Sequence, residues 1–229
     1  MKVNNILPHR SESLPRPFVI VGEGYGDVCF VDELLKLHKI NNCSVGCHNR
    51  QTERKEDSKG QMDDYLAGLA FAKTRKESVQ LSGILIIVDA DDDPEEKFKM
   101  AADLLEGNGF PKPTKPFVIE VHGDFKVAVF LHPGKDRTGT LEHILLEATL
   151  KDKPNLGNCV EEFAKCTGVV PIAKENEQAK MKMSSLVGAC CTENPWASDS
   201  MLWHSKGNPV PIGSECFKPL ADLIKELCA

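Results

Sequence analysis

Acidic side chains follow two short apolar runs of the sequence. Glu23 comes just after Phe18–Val21, and Asp89 and Asp91 come just after Ile84–Val88. Both runs are typical of buried strands, and open α/β sheets place their ligand sites at the carboxyl ends of such strands. Because Asp89 and Asp91 are two positions apart, an extended backbone would point both side chains the same way. We therefore expect the three carboxylates to meet at one edge of a sheet.

Three ionised carboxylates at one edge repel one another unless a cation lies between them. All the donors in this set are oxygens, which favours Mg²⁺ or Mn²⁺, since these ions keep several waters and share substrate phosphates. Gly22, Gly24 and Gly26 surround Glu23 and allow the backbone to turn tightly and approach a phosphate closely. The residues thus indicate metal-assisted chemistry at a phosphate.

The acidic residues after Asp91 are expected to have a different role. Asp93-Pro94 is typical of a helix start, with proline at an early helical position. Carboxylates in a first turn also interact favourably with the helix dipole. We expect a surface or capping role for Asp92, Asp93, Glu95 and Glu96.

Several familiar motifs are incomplete. The glycines at 22, 24 and 26 do not have the dinucleotide-binding spacing, and Pro94 stands where an EF-hand loop beginning at Asp89 needs glycine. Cys43, Cys47 and His48 are not followed by a second ligand pair at finger spacing. Neither a Walker A motif nor a nucleophile elbow is present. For His132 and His143 we expect structural roles, with general acid–base chemistry as the alternative.

Composition bounds the class of protein. The chain has 229 residues, 41% hydrophobic and 27% charged, which excludes collagen-like, disordered and coiled-coil classes. Its apolar runs are far shorter than the roughly 18 residues of a membrane span, so we expect no membrane association. Nine cysteines, an odd number, and no signal peptide favour reduced thiols and a cytoplasmic location. The net charge of −6 argues against a polyanion-coating protein but not against a local basic groove.

The alternation of strand and helix patterns predicts an α/β fold with a mostly parallel, Rossmann-like sheet flanked by helices. We expect this core over residues 17–135 and a helical extension over 136–229, packed on it as one unit. Predicted strands cover 18–21, 41–47, 83–88, 116–121 and 126–131, the last two as a hairpin. Predicted helices cover 27–39, 62–79, 93–106, 141–150, 158–166, 176–189 and 219–227.

The order of these motifs resembles a TOPRIM domain. A strand ends in Glu-Gly-x-x-Asp (23–27), a later strand ends in Asp-x-Asp (89–91), and a helix begins with Gly-x-Leu-Glu (139–142). The TOPRIM fold serves topoisomerases, bacterial primases and small nucleases. The likeness spans roughly 17–228 and is strongest to stand-alone TOPRIM-like bacterial proteins related to nucleases of the overcoming-lysogenization-defect type.

The resemblance implies a TOPRIM-like fold and roles for particular residues. Glu23, Asp89 and Asp91 would form the metal-binding set, and Glu142 would join it as a fourth carboxylate. Lys180 or Lys182 would be the catalytic lysine, which neutralises phosphoryl oxygens in the transition state.

A basic connection offers a further expectation. The connection formed by residues 47–60 is longer and more basic than a TOPRIM fold requires. Its Arg50, Arg54 and Lys55 could guide a nucleic-acid backbone. Acidic residues in the same segment offset much of this charge, so an ordinary solvated loop is the alternative.

The leading hypothesis is a Mg²⁺-dependent nuclease that hydrolyses phosphodiesters of DNA or RNA. The alternative is a non-catalytic, TOPRIM-like regulatory module that binds a partner, possibly an ATPase. A third hypothesis is a phosphohydrolase with an aspartyl nucleophile at Asp89. A topoisomerase is not expected, because neither of the two tyrosines, Tyr25 and Tyr65, is well placed for covalent chemistry.

Overall fold

The computed structural model describes residues 5–7, 13–47, 58–168 and 174–229. Its strands are β1 (Phe18–Gly22), β2 (Cys43–Gly46), β3 (Gly83–Asp89), β4 (Glu120–His122) and β5 (Phe125–His132). Its helices are α1 (Tyr25–Leu37), α2 (Ser58–Ala72), α3 (Pro94–Gly107), α4 (Leu141–Asp152), α5 (Asn155–Cys166), α6 (Glu175–Cys190), α7 (Asp199–Leu202) and α8 (Lys218–Cys228). A short 3-10 turn, Glu215–Phe217, precedes α8.

The five strands form one sheet in the order β2-β1-β3-β5-β4. All neighbours are parallel except β4, which pairs with β5 as an antiparallel hairpin. β1 and β3 lie in the interior of the sheet and are apolar along their length, as strands covered on both faces must be. The predicted α/β class with a mostly parallel sheet is therefore confirmed. Because β1, β3 and β5 are parallel, their carboxyl ends meet at one edge.

Helices cover both faces of the sheet. On one face, Leu85 and Ile87 of β3 belong to a core cluster with residues of α1, α4, α6 and α8, such as Leu145 and Ile224. On the other face, Ile86 belongs to a cluster with residues of α2 and α3. The helices after residue 136 thus share a hydrophobic core with the sheet. Burying one aliphatic side chain fully in this core stabilises the folded state by about 1.5–3 kcal/mol relative to leaving it exposed.

Some of the observed elements differ from those predicted. The second helix ends at Ala72 rather than at 79, because the Ser78 hydroxyl donates a hydrogen bond to the Ala72 carbonyl and closes the helix end. β4 begins only at Glu120, since Phe117 has φ of 63°, which no strand accommodates. The structure also has a short helix, α7, between the predicted helices 176–189 and 219–227. No helix of the described residues is long and apolar enough to span a bilayer.

Candidate active site

A tight turn after β1 places Glu23 beside the end of β3. The Glu23 N–H donates to the Ile87 carbonyl at 3.1 Å, and the Glu23 Oε2 accepts from the Asp89 N–H at 3.1 Å. The turn needs glycine at 22, because a Cβ there would lie 2.8 Å from the Asp27 Cβ. Two parallel strands are thus joined through the Glu23 carboxylate at their carboxyl ends.

Asp89 connects the end of β3 with the beginning of α4. Its Oδ1 accepts from the N–H of Leu141, the first residue of that helix, at 2.9 Å. The adjacent Glu142 accepts a hydrogen bond from the Thr140 hydroxyl through its Oε2. The start of α4 therefore carries Glu142 to the same edge of the sheet, as the resemblance implied.

A fourth carboxylate, Asp27, belongs to the same group. It lies in the first turn of α1, is only 8% exposed, and accepts a hydrogen bond from the Gly24 N–H at 2.8 Å. Burial raises the pKa of Asp27 to about 7, and the carboxylates of Glu23 and Glu142 add to this, against the lowering by the Gly24 hydrogen bond. Asp27 was not among the predicted site residues, although it closes the Glu-Gly-x-x-Asp motif.

Asp89 shares these neighbours. Burial raises the pKa of Asp89 well above its usual value, and the charges of Asp27, Glu23 and Glu142 raise it further. We call Glu23, Asp27, Asp89 and Glu142 the acidic cluster. Together with Gly24, Gly26 and Lys180 these residues line a cleft of about 370 Å³, the acidic cleft.

Asp91 does not follow the direction predicted for it. Its φ of 47° means that the backbone is not extended there. The prediction that the side chains of Asp89 and Asp91 point the same way is therefore wrong. The Asp91 carboxylate instead pairs with Lys97 at 2.6 Å and accepts from the Asn176 amide at 3.3 Å. Burial lowers the pKa of Lys97, but the hydrogen bond to Asp91 and the carboxylates of Glu23, Asp91 and Asp89 raise it overall. Asp91 is thus near the site with its charge already compensated.

The two candidate lysines lie in different places. Lys180 lines the acidic cleft, with its Nζ 4.0 Å from the Glu142 Oε1. Lys182, two residues further along α6, forms an ion pair with Glu161 of α5. Only Lys180 is therefore placed beside the carboxylates.

Two histidines stand close to the site. His132 ends β5 opposite Asp89 and is 1% exposed, and burial lowers its pKa to about 3, which keeps the ring neutral. Its Nε2 is 3.7 Å from the Asp27 Oδ1, and neither ring nitrogen has a hydrogen-bond partner among the described residues. His143 accepts the Thr140 N–H through its Nδ1 at 3.1 Å, which fits the structural role expected for it.

The structure describes only some of the predicted phosphate-binding residues. Gly24 and Gly26 both line the acidic cleft, Gly24 at the N-terminal end of α1. The side chains of Arg50, Arg54 and Lys55 lie outside the described residues.

The fit of a divalent cation depends on both donor type and placement. Within the described ranges, no three His, Cys, Asp or Glu side chains are placed to hold a metal ion as they stand. The Glu23 Oε2 and the Asp89 Oδ1 already accept hydrogen bonds from backbone N–H groups. The donor set itself consists of carboxylates crowded at a sheet edge, and the pKa values of Asp27 and Asp89 are raised there. Such oxygen donors are the ligands that hard cations select.

Comparison with known proteins places the chain in a family. No protein with a curated description matches it, and no solved structure does. A family model described as "Protein of unknown function (DUF3226)" matches residues 17–189. The match runs from the start of β1 almost to the end of α6 and includes the whole acidic cluster and Lys180. The chain therefore belongs to the DUF3226 family.

Proposed function

We propose that this protein is a Mg²⁺- or Mn²⁺-dependent nuclease, hydrolysing phosphodiester bonds at the acidic cleft through a TOPRIM-like site. One observation carries the proposal. The acidic cluster brings four carboxylates to the carboxyl edge of a parallel sheet, where burial and mutual repulsion raise the pKa values of Asp27 and Asp89. Such a site gains stability when a cation binds, because the cation removes the repulsion.

The ligands of the cation would come from the acidic cluster, with Asp91 second to it because Lys97 already compensates its charge. A bound Mg²⁺ would supply a water of lowered pKa and stabilise charge on the phosphate. The protein's own contribution is orientation. The first turns of α1 and α4 present backbone N–H groups and positive dipole ends at this edge, and Lys180 brings an ammonium group to phosphoryl oxygens.

We also place the reaction in a reducing compartment, the cytoplasm. All nine cysteines are free thiols, and four of them are buried. Free thiols in this number are typical of proteins that function where disulfides do not persist.

The first experiment is a cleavage assay on the full chain. Labelled single-stranded and duplex DNA and RNA are incubated with the protein in EDTA, Mg²⁺ or Mn²⁺. We expect cleavage only with a divalent cation, and its loss in Glu23→Gln. The matched control is Glu95→Gln, since Glu95 is an exposed glutamate in the first turn of α3. Equal cleavage by wild type and Glu23→Gln would refute the assignment.

A second experiment separates the nuclease from the non-catalytic module. The absence of a preformed three-ligand group among the described residues is the observation that favours the module. Calorimetric titration with Mg²⁺ and Mn²⁺ decides between them. Binding that disappears in Glu23→Gln supports the nuclease. No binding at millimolar concentration supports a module that acts by holding a partner, for which an ATPase is our candidate.

A further inference from the structure

A second pocket adjoins the acidic cleft. It has a volume of about 470 Å³ and shares Tyr25 and Ser200 with the cleft, so the two spaces meet along the first turn of α1. Its other wall comes from the segment around α7, including Asn194, Met201 and Trp203. This volume lies in the range of pockets that bind small organic groups. We call it the side pocket.

The side pocket is lined by aromatic rings. Tyr25 is 55% exposed and precedes Cys29, which also lines the pocket, by one turn of α1. Its ring is therefore accessible where the side pocket adjoins the acidic cleft. Trp203 stacks on Phe30 with ring centroids 5.6 Å apart and an interplanar angle of 29°, which fixes the indole in place. Rings held in this way are stacking platforms for flat aromatic ligands.

Two buried polar atoms in the lining have no partner. The Trp203 Nε1 is a donor and the Asn194 Oδ1 an acceptor, and neither forms a hydrogen bond among the described residues. Unpaired buried polar groups are costly, so a small movement of the pocket wall that lets a ligand or water pair with them is favoured. A nucleobase edge carries both donors and acceptors.

The charges in the side pocket favour an uncharged ring over a phosphate. Its three carboxylates are already paired: Asp32 and Glu33 with Lys36, each at 2.7 Å, and Glu193 with Lys206 at 3.0 Å. No cation of these pairs is left over for an anion. Phosphate would instead be drawn to the cation in the neighbouring acidic cleft.

We infer that the side pocket binds the nucleobase next to the phosphodiester that is cleaved, so that the substrate is single-stranded at that position. A base within a duplex is stacked and paired and cannot enter such a pocket. This inference rests on the proposed function, because it takes the acidic cleft as the place of the scissile phosphate. It adds a substrate class and a role for the segment around α7, which lies beyond the residues matched by the family model.

The test uses Trp203 as its own reporter. The chain has two tryptophans, and Trp196 is 78% exposed, so Trp196→Phe leaves Trp203 as the single source of indole fluorescence. In EDTA, where cleavage is not expected, adenosine and short single-stranded DNA and RNA should quench this fluorescence, whereas ribose 5-phosphate, which has no base, should not. Quenching by ribose 5-phosphate as strong as by adenosine would overturn the inference.

Variants of Tyr25 measure the stacking. Binding of a labelled single-stranded oligonucleotide, followed by fluorescence anisotropy in EDTA, should weaken about tenfold in Tyr25→Leu and stay within about twofold in Tyr25→Phe. The control is Phe71→Leu, an exposed aromatic on α2, on the opposite face of the sheet. Unchanged affinity in Tyr25→Leu, or equal affinity for duplex and single strand, would refute a base-binding pocket.

The outcomes for the side pocket and for the nuclease can be told apart. Glu23→Gln should bind single strands and quench Trp203 as wild type does while losing cleavage. If Trp203 and Tyr25 respond as expected but no metal supports cleavage, the pocket stands and the nuclease assignment fails. If wild type cleaves and Tyr25→Leu binds and cleaves equally well, the nuclease stands and the pocket fails.

Discussion

Two groups of acidic residues adjoin the end of β3, yet they are in opposite physical situations. Asp92, Asp93, Glu95 and Glu96 are exposed, and the Asp93 Oδ1 accepts the Glu96 N–H at 3.0 Å as the cap of α3. The acidic cluster is largely withdrawn from water, and the pKa values of Asp27 and Asp89 are raised. The same side chains thus stabilise a helix in one place and oppose folding in the other, so location rather than charge count identifies the site.

Asp91 lies between the two groups in the sequence, and its charge is compensated within the protein. Lys97 forms an ion pair with it at 2.6 Å. Beside the acidic cluster, by contrast, Lys180 is 4.0 Å from Glu142. A group of carboxylates left with so little internal compensation is where an added cation gains most.

The largest effect expected from this comparison is on cleavage. Asp89→Asn should lower the rate of metal-dependent cleavage by about 1000-fold, because a ligand and its charge are lost where charge develops on the phosphate. Asp92→Asn removes the same charge three positions away and should leave the rate unchanged. Single-turnover kinetics on both variants measure the difference. A comparable loss in both would mean that only overall charge matters.

A second contrast lies within α6. Lys180→Gln should slow cleavage by roughly 10- to 100-fold through loss of an ammonium group at the phosphate. Lys182→Gln should have little effect on rate, since its partner is Glu161 of α5. Rates at saturating metal and substrate give the comparison. If Lys182→Gln cleaves more slowly than Lys180→Gln, the assignment of Lys180 as the catalytic lysine is wrong.

The next effect is on stability and its pH dependence. With a pKa of about 7 in the folded protein and an ordinary value of 3.8, Asp27 contributes stability at low pH that is lost as pH rises from about 4 through 7. Metal-free Asp27→Asn should therefore exceed wild type in free energy of unfolding at pH 8, by on the order of 2 kcal/mol. The gain should shrink towards pH 4.

Urea denaturation in EDTA across this range measures that gain. The pKa of His132 is lowered from 6.5 to about 3. Its contribution to protein stability therefore has the opposite pH dependence and is lost as pH falls below about 6.5. His132 is present in both proteins, so the difference between wild type and Asp27→Asn reports Asp27 together with its effect on the neighbouring Asp89 and His132. A difference that is constant from pH 4 to pH 8 would contradict the raised pKa.

The smallest effect concerns the exposed group. Asp93→Ala removes the cap of α3 and should lower the free energy of unfolding by about 1 kcal/mol. Cleavage by the folded variant should be unchanged, because Asp93 faces solvent and not the acidic cleft. Thermal denaturation and the cleavage assay together check this. Loss of activity without loss of stability would extend the site into the acidic run.

The sheet and the edge at which the site lies can be predicted from the sequence. Apolar, β-branched runs at 18–21 and 83–88 are sufficient to predict buried parallel strands, because strands covered on both faces have that composition. The positions of Glu23 and Asp89 at the ends of those runs then follow from chain connectivity. Glu142 could be named only through its resemblance to a TOPRIM motif, since nothing local distinguishes it from an ordinary helix residue.

Which neighbouring side chains join the site depends on how the helices pack against the sheet. Asp27 joins it because α1 begins in a tight turn at the sheet edge, and Asp91 turns aside because its backbone leaves the extended region. Lys180 and Lys182 are about 200° apart around α6, so they face opposite ways, and the packing of α6 against α4 and α5 determines which one meets the carboxylates. Local patterns describe the backbone of each element, whereas a site depends on how faces of separate elements are oriented towards one another.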